Sequence, residues 1–448
     1  MLVEFRVENH RSICDEQALT MEAGRVGHPG DLRPRKVVGY PRQLLPVAAL
    51  YGANASGKSN VLSALGFMRD AVIDSHRSWP PEGGVPREAF AWGGRTRAPS
   101  MFEATFLVED VRYQYGFLVD QVRVLEEWLF AWPKGRRQTW LEREADKFSF
   151  GGHLGGENRV IEQVTRSNAL FLSTAAQHQH EKILPIYGWF RQLHTVRVEG
   201  YKERYADAMP AAVAASMFAA ATAAAAALAG SSNGMVRVLD LIPTHGKRGG
   251  VRDDALALDA TDADKLRRLM KAADVGISDF RIDEVRHGNG GNEKDAQRIF
   301  MRHHIGNGEA WLPLEQESAG TKTLFRLGPS VIAALARGSL LVIDELEASL
   351  HPLVAAQLVS QFNDPHTNPH NAQLVFTTHD TNLLGTTYRE PMLRRDQIWL
   401  TEKGPAGATT LYPLTNYKPR KAENLERGYL QGRYGAIPFL GELGRVEE

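Results

Sequence analysis

Gly52-Ala53-Asn54-Ala55-Ser56-Gly57-Lys58-Ser59-Asn60 decides how the rest of this chain is read. It follows the apolar run Pro46-Val47-Ala48-Ala49-Leu50-Tyr51 and precedes a segment in which Val61, Leu62, Leu65, Met68 and Val72 recur at three- and four-residue spacing. The flanks predict a buried strand and an amphipathic helix, and the spacing G-x-x-x-x-G-K-S between them is that of a phosphate-binding loop. Glycines at both ends let the backbone close round an anion without Cβ clashes. Consecutive N–H groups and the positive end of the following helix then point at a β-phosphate. Lys58 supplies a mobile positive charge for the β- and γ-phosphates, and Ser59 a hydroxyl for Mg2+, a hard ion that prefers oxygen ligands. The expected ligand is a nucleoside triphosphate with Mg2+.

A second signal lies far downstream. Ser339-Leu340-Leu341-Val342-Ile343-Asp344-Glu345 is a continuous apolar run that ends in two carboxylates, as expected of a buried parallel strand delivering its acids to the carboxyl edge of a sheet. Asp344 is the candidate to hold Mg2+, and Glu345 the candidate to take a proton from an attacking water. Gln373-Leu374-Val375-Phe376-Thr377-Thr378-His379 repeats the pattern, so His379 reaches the same edge, where a hydrogen bond to a γ-phosphate would report that group's presence. Upstream of the acids, Glu317-Ser318-Ala319-Gly320-Thr321-Lys322 opens a helical stretch. Ser318 and Gly320 with free backbone amides form a second anion site there. One molecule has no use for two such sites on one phosphate. Two molecules facing head to tail would use both, each presenting its serine-glycine segment to the nucleotide on the other's loop.

Composition bounds the remaining choices. A chain of 448 residues exceeds one ordinary domain. Lysine plus arginine and aspartate plus glutamate both number 53, so no global field draws the protein to nucleic acid or to an anionic membrane, and any DNA contact is local or lent by a partner. The single cysteine, Cys14, has no intramolecular disulfide partner and fits a reducing, cytoplasmic setting. The N-terminal Met1-Leu2-Val3-Glu4-Phe5-Arg6-Val7 alternates like a strand and lacks the apolar core of a signal peptide. Ala211 to Gly230 is uncharged and nearly long enough to span a bilayer, but its alanines provide little drive for insertion, and it reads as a soluble helix. The pairs His178/His180 and His303/His304 have no acid or cysteine at ligand spacing and read as surface histidines. The basic clusters Arg33-Pro34-Arg35-Lys36 and Lys134-Gly135-Arg136-Arg137 read as solvated loops.

Taken in order, the phosphate loop, the serine-glycine segment, the Asp344-Glu345 pair, Ser349-Leu350-His351 and His379 resemble the ABC-type ATPase heads of the structural-maintenance, RecF and OLD group. In detail the chain is similar to the RloA and AbiL type of stand-alone bacterial ATPases. Tyr51 to Asn60, Asp344 to Pro352, Arg394-Arg395-Asp396-Gln397-Ile398-Trp399 and Gly432-Arg433-Tyr434-Gly435-Ala436-Ile437-Pro438 carry that resemblance. It implies ATP as the nucleotide and a homodimer closed around two nucleotides, with larger assemblies open. It also implies Asn9, Arg11 and Ser12 as contacts to base or α-phosphate, a polar strand-to-strand turn being the plain alternative. A lobe-linking glutamine that touches Mg2+ is expected too, and Gln177 is the candidate. OLD proteins carry a nuclease after the ATPase. Beyond Asp380 the chain holds Asp396 as its sole aspartate, so the effector, a nuclease in anti-phage defence, is expected on another polypeptide. A DNA-clamping repair ATPase is the alternative.

The fold expected is α/β: an ABC-type P-loop NTPase head, with a mixed central sheet and an antiparallel β-lobe, and an inserted helical subdomain. Met101 to Val108, Val111 to Val119 and Val122 to Trp132 alternate as a β-meander, placing an N-terminal lobe at 1–180. Residues 181–300 read as a mainly helical insertion, with Asp262 to Ala273 one of its helices, and 301–448 as the C-terminal lobe. The absence of sustained heptads excludes long coiled-coil arms.

Overall fold

The computed structural model describes residues 1–28, 30–197, 260–273, 276–285, 296–305, 308–385, 391–420 and 423–438. Ala211 to Gly230 lies outside the described residues. The chain is mixed α/β and divides into two compact units. The first comprises Met1–Val196, Ala334–Glu347 and Pro352–Glu448, and the second Arg197–Ala333 with Ala348–His351. This division differs from the three consecutive blocks expected.

The first unit holds two sheets. One has seven strands in the order β2-β1-β4-β5-β6-β7-β8, where β1 is Leu2–Glu8, β2 Gln17–Thr20, β4 Ser100–Val108, β5 Val111–Val119, β6 Val124–Trp132, β7 Gln138–Glu144 and β8 Lys147–Phe150. Every pairing is antiparallel. The β4–β5 hairpin turns on Glu109 and Asp110, both at positive φ (49° and 62°), the backbone that matches the twist of a two-residue hairpin. The other sheet has the order β16-β15-β3-β14-β13-β9, from β3 (Val47–Gly52), β9 (His194–Arg197), β13 (Leu340–Asp344), β14 (Gln373–Thr377), β15 (Ile398–Lys403) and β16 (Thr409–Pro413). Strands β13, β14, β3 and β15 run parallel and β16 antiparallel to β15. The continuous apolar runs noted in the sequence are β3, β13 and β14, where every residue but Asp344 is buried.

Helix α1 (Lys58–Asp74) buries Val61, Leu62, Leu65, Met68 and Val72. They join one apolar cluster with Phe5, Phe102 and Phe117 of the antiparallel sheet and Leu50 and Val342 of the parallel one. Short helices α2 (Asn158–Val164), α3 (Phe171–Gln177) and α4 (Leu184–Arg191) follow the meander. The start of α3 is held by Glu127, whose carboxylate accepts from Phe171 N, Leu172 N and the Tyr115 hydroxyl. Arg143 lies 3.5 Å from it, and both side chains are almost wholly buried. Removing one member of such a pair strands the other's charge, so Glu127→Ala should cost about 3–5 kcal/mol. Chemical denaturation followed through the first unit checks this; a loss under about 1 kcal/mol would contradict it.

Among the described residues of 181–300 the second unit holds strands as well as a helix. Its α5 (Ala260–Ala273) was foreseen, but it packs on a three-stranded antiparallel sheet of β10 (Ile277–Val285), β11 (Ala296–Ile305) and β12 (Gly308–Pro313). An irregularity between Ile277 and Asp279 shifts the register at the start of β10, after which the ladder is regular. Leu266 and Met270 of α5 are buried, and Phe280 meets Phe325 edge-on at 5.3 Å. Phe325 belongs to α6 (Ala319–Arg337), whose residues from Ala334 are counted in the first unit. Helices α7 (Pro352–Asn363) and α8 (Leu425–Leu430) complete the described elements.

Candidate functional site

Strand β3 delivers the glycine-rich loop to the edge of the parallel sheet, and two threonines of the C-terminal hairpin brace it. Ser56 Oγ shares a hydrogen bond with Thr401 Oγ1 at 2.6 Å, and Thr409 Oγ1 donates to Ser56 O at 2.8 Å. The two motif glycines are required by these contacts. A Cβ at Gly57, whose φ is +106°, would stand 2.1 Å from Thr409 Oγ1, and one at Gly52 would stand 2.4 Å from Thr401 Oγ1. Asn54 and Ala55 are exposed at the crest. Lys58 Nζ curls back to donate to Gly52 O and Ala53 O at 2.9 and 3.1 Å.

The acids meet this loop across the sheet. Ser59 Oγ donates to Asp344 Oδ1 at 2.9 Å over a sequence separation of 285, and Thr377 Oγ1 donates to the same oxygen at 2.7 Å. Thr377 Oγ1 also accepts from Glu345 N. Glu345 itself has a φ of +57°, a left-handed backbone that costs a side-chain-bearing residue about 1 kcal/mol or more and collects at functional positions. Glu347 completes the group. Its Oε1 accepts from His379 N at 2.5 Å, while its Oε2 is buried without a hydrogen-bond partner. Burial lowers the Lys58 pKa to about 8, against the opposing pull of Glu347, Glu345 and Asp344. The same desolvation, reinforced by the Lys58 charge, holds His379 below its ordinary value.

Ser59 Oγ, Asp344 Oδ1 and the unpartnered Glu347 Oε2 are the hard oxygen donors that fit a divalent cation beside a phosphate chain. Among the described residues no cluster of three histidine, cysteine or acidic side chains could hold a metal ion by itself. A cation here would therefore take its remaining ligands from water and phosphate oxygens. His180 is buried rather than a surface histidine, bonded through Nε2 to Gly155 O and Asn158 Oδ1, and His303 pairs with Glu317 at 2.6 Å.

Four sequence expectations change in the structure. Asn9 is fully buried and its side chain is consumed: Nδ2 donates to Arg95 O, Ala98 O and Pro99 O, and Oδ1 accepts from Phe90 N. Its side-chain nitrogen and oxygen are thus both engaged within the chain. Arg11 grips Glu88 with two 2.8 Å hydrogen bonds. Ser12 Oγ binds Thr409 Oγ1 and accepts from Asn60 Nδ2, so Ser12 and Asn60 fasten the N-terminal turn to the phosphate loop. Gln177 is exposed at the end of α3. That helix bonds the far end of α1 through Ser173 and Thr174 to His76, about 22 Å along the helix from Ser59 at 1.5 Å per residue. Gln177 does not reach the Ser59–Asp344 pair. Within the second unit, Ser318 caps α6, its Oγ accepting from Thr321 N at 3.1 Å, and a Cβ at Gly320 would lie 2.8 Å from Ser349 O.

Sequence reading missed Thr377, Glu347, Thr401 and Thr409. Thr377 had a signal, standing two positions before His379 at the end of the apolar run that forms β14. The other three had none, because an acid after Leu346 and threonines in a C-terminal hairpin look like ordinary surface.

Among the described residues no helix is long and apolar enough to cross a membrane. No curated protein matches the chain. One family model does, over residues 47–385, from the first residue of β3 to just past His379, and its description reads "AAA domain, putative AbiEii toxin, Type IV TA system". That match takes in the loop, both acids and the histidine and covers well over half of the chain, which therefore belongs to this family of AAA domains.

Proposed function

We propose that this protein is an ATP-binding and ATP-hydrolysing switch of the ABC type that dimerises around nucleotide and controls a separate effector. The observation that carries the reading is the Ser59–Asp344 hydrogen bond, which joins the phosphate loop to the acid strand as Mg2+-dependent phosphoryl transfer requires. In this scheme Lys58 leaves its loop carbonyls to bind β- and γ-phosphate oxygens, and Glu345 accepts the proton of the attacking water. His379 donates to the terminal phosphate. Mg2+, held by Ser59 and Asp344, neutralises the phosphate charge when bound. Release of inorganic phosphate from ATP, strictly dependent on Mg2+ and lost on chelation, is the direct test. Failure of the purified protein to bind Mg-ATP in calorimetry would end the proposal.

The family's description, with its toxin and type IV toxin–antitoxin system, supports a setting in bacterial defence. An effector nuclease encoded on another polypeptide is the partner we infer, to be sought by capture of the Glu345→Gln protein with ATP. Each half of the dimer would contribute Ser318 and Gly320 to the nucleotide on its mate. The clamp alternative predicts DNA affinity that falls steeply with salt in the isolated protein.

Lys58 also predicts a pH effect. Its folded pKa of about 8 lies below the ordinary lysine value of 10.5, and triphosphate charge would raise it again. Binding at pH near 8.5 should therefore take up a proton, and affinity should fall as pH rises above 8, by up to about tenfold per unit. Calorimetry in buffers of different ionisation enthalpy measures the proton directly; proton release would refute the assignment.

A further inference from the structure

Trp92 is the most exposed aromatic side chain among the described residues, at 56 %, yet the loop that carries it is held by several side chains. Asn9 clasps three of the loop's carbonyls and the Phe90 amide. Arg11 holds Glu88, and Arg95 pairs with Glu8 and Asp15. Phe90 is buried beneath, its ring centroid 5.2 Å from that of Trp92. The indole rests on the β15–β16 turn: a Cβ at Gly407 would lie 3.6 Å from it, and Lys403 Nζ is 6.0 Å from its centroid. Two residues beyond Gly407, within about 7 Å of chain, Thr409 donates to Ser56 of the phosphate loop. A ribose and an α-phosphate span such a gap.

An exposed indole costs solvation and gains nothing from the rigid mounting unless something lies on it. We propose that Trp92 is the platform on which the nucleotide base stacks, with Lys403 beside it and Asn9 as the positioning residue that keeps the loop in place. This rests on the nucleotide-site reading above and adds the base to it. It also replaces the expectation that Asn9 touches the nucleotide with a role one step removed. Stacking uses the π-face that every base has, so Trp92 should support ATP and GTP alike.

Titrating wild type, Trp92→Ala and Trp92→Phe with Mg-ATP and with Mg-tripolyphosphate, which has no base, tests this. Expected is an ATP affinity about tenfold or more weaker in Trp92→Ala, largely restored in Trp92→Phe, with tripolyphosphate affinity equal in all three. Unchanged ATP affinity in Trp92→Ala overturns the platform and leaves the phosphate site standing. Equal loss of both ligands overturns it too, because the effect would then not be the base's. Wild type that binds neither ligand removes the nucleotide-site reading and the platform with it.

Discussion

Glu345→Gln should lower ATP turnover by about 10²- to 10⁴-fold, the range by which a positioned general base accelerates proton transfer, while leaving nucleotide affinity within a few-fold of wild type. The substitution keeps the side chain's size and changes only its ability to accept a proton. The backbone anchor, Glu345 N to Thr377 Oγ1, is untouched. With hydrolysis stopped, Mg-ATP should hold the protein as a dimer, seen as a doubling of mass in light scattering that ADP does not produce. Glu347→Gln is the needed comparison, because Glu347 also faces Lys58 and carries the buried unpartnered oxygen. Should Glu347→Gln be the variant that stops turnover, the base is Glu347. An Glu345→Gln protein that stays monomeric with ATP would sink the dimer.

Lys58→Met should weaken Mg-ATP binding by about 10- to 100-fold, the worth of a hydrogen bond from a charged donor. Its effect on folding should have a separate origin. A lysine whose pKa is depressed by burial costs the folded state free energy wherever it is charged, below pH 8. Methionine removes that cost but leaves Gly52 O and Ala53 O without their donor. The two terms oppose each other, so stability should move by no more than about 2 kcal/mol. Thermal unfolding with and without Mg-ATP separates the effects: a midpoint without ligand that moves by a few degrees at most, and loss of the ligand's stabilisation. A variant that still gained stability from Mg-ATP as wild type does would remove Lys58 from the site.

What could be read from the sequence was whatever is encoded locally. The phosphate loop announces itself through glycines at fixed spacing between a strand and a helix, and β13 and β14 through apolar runs ending in Asp344 and His379. The meander was legible from alternation, since β4, β5 and β6 each bury one face more than the other. The sheet β10–β12 was not, although its register runs unbroken past Asp279. Nor was the fate of Asn9. A polar residue in a turn looks the same whether it faces a ligand or fastens a loop nearly ninety positions away, and only the hydrogen bonds to Arg95, Ala98 and Pro99 decide it. Gln177 failed for a geometric reason: a glutamine after an apolar stretch says nothing about which end of α1 it will meet.

The placing of β3 between β14 and β15 has a cost during synthesis. On the ribosome the strand that leads into the phosphate loop emerges early, while both of its neighbours, and the threonines that brace the loop, arrive more than 300 residues later. At about 5–20 residues per second the nascent chain carries an unpaired, wholly apolar strand for some tens of seconds at the slower pace. Holding chaperones would meet their natural client there, and a message truncated before β15 would yield a product unable to assemble the loop at all.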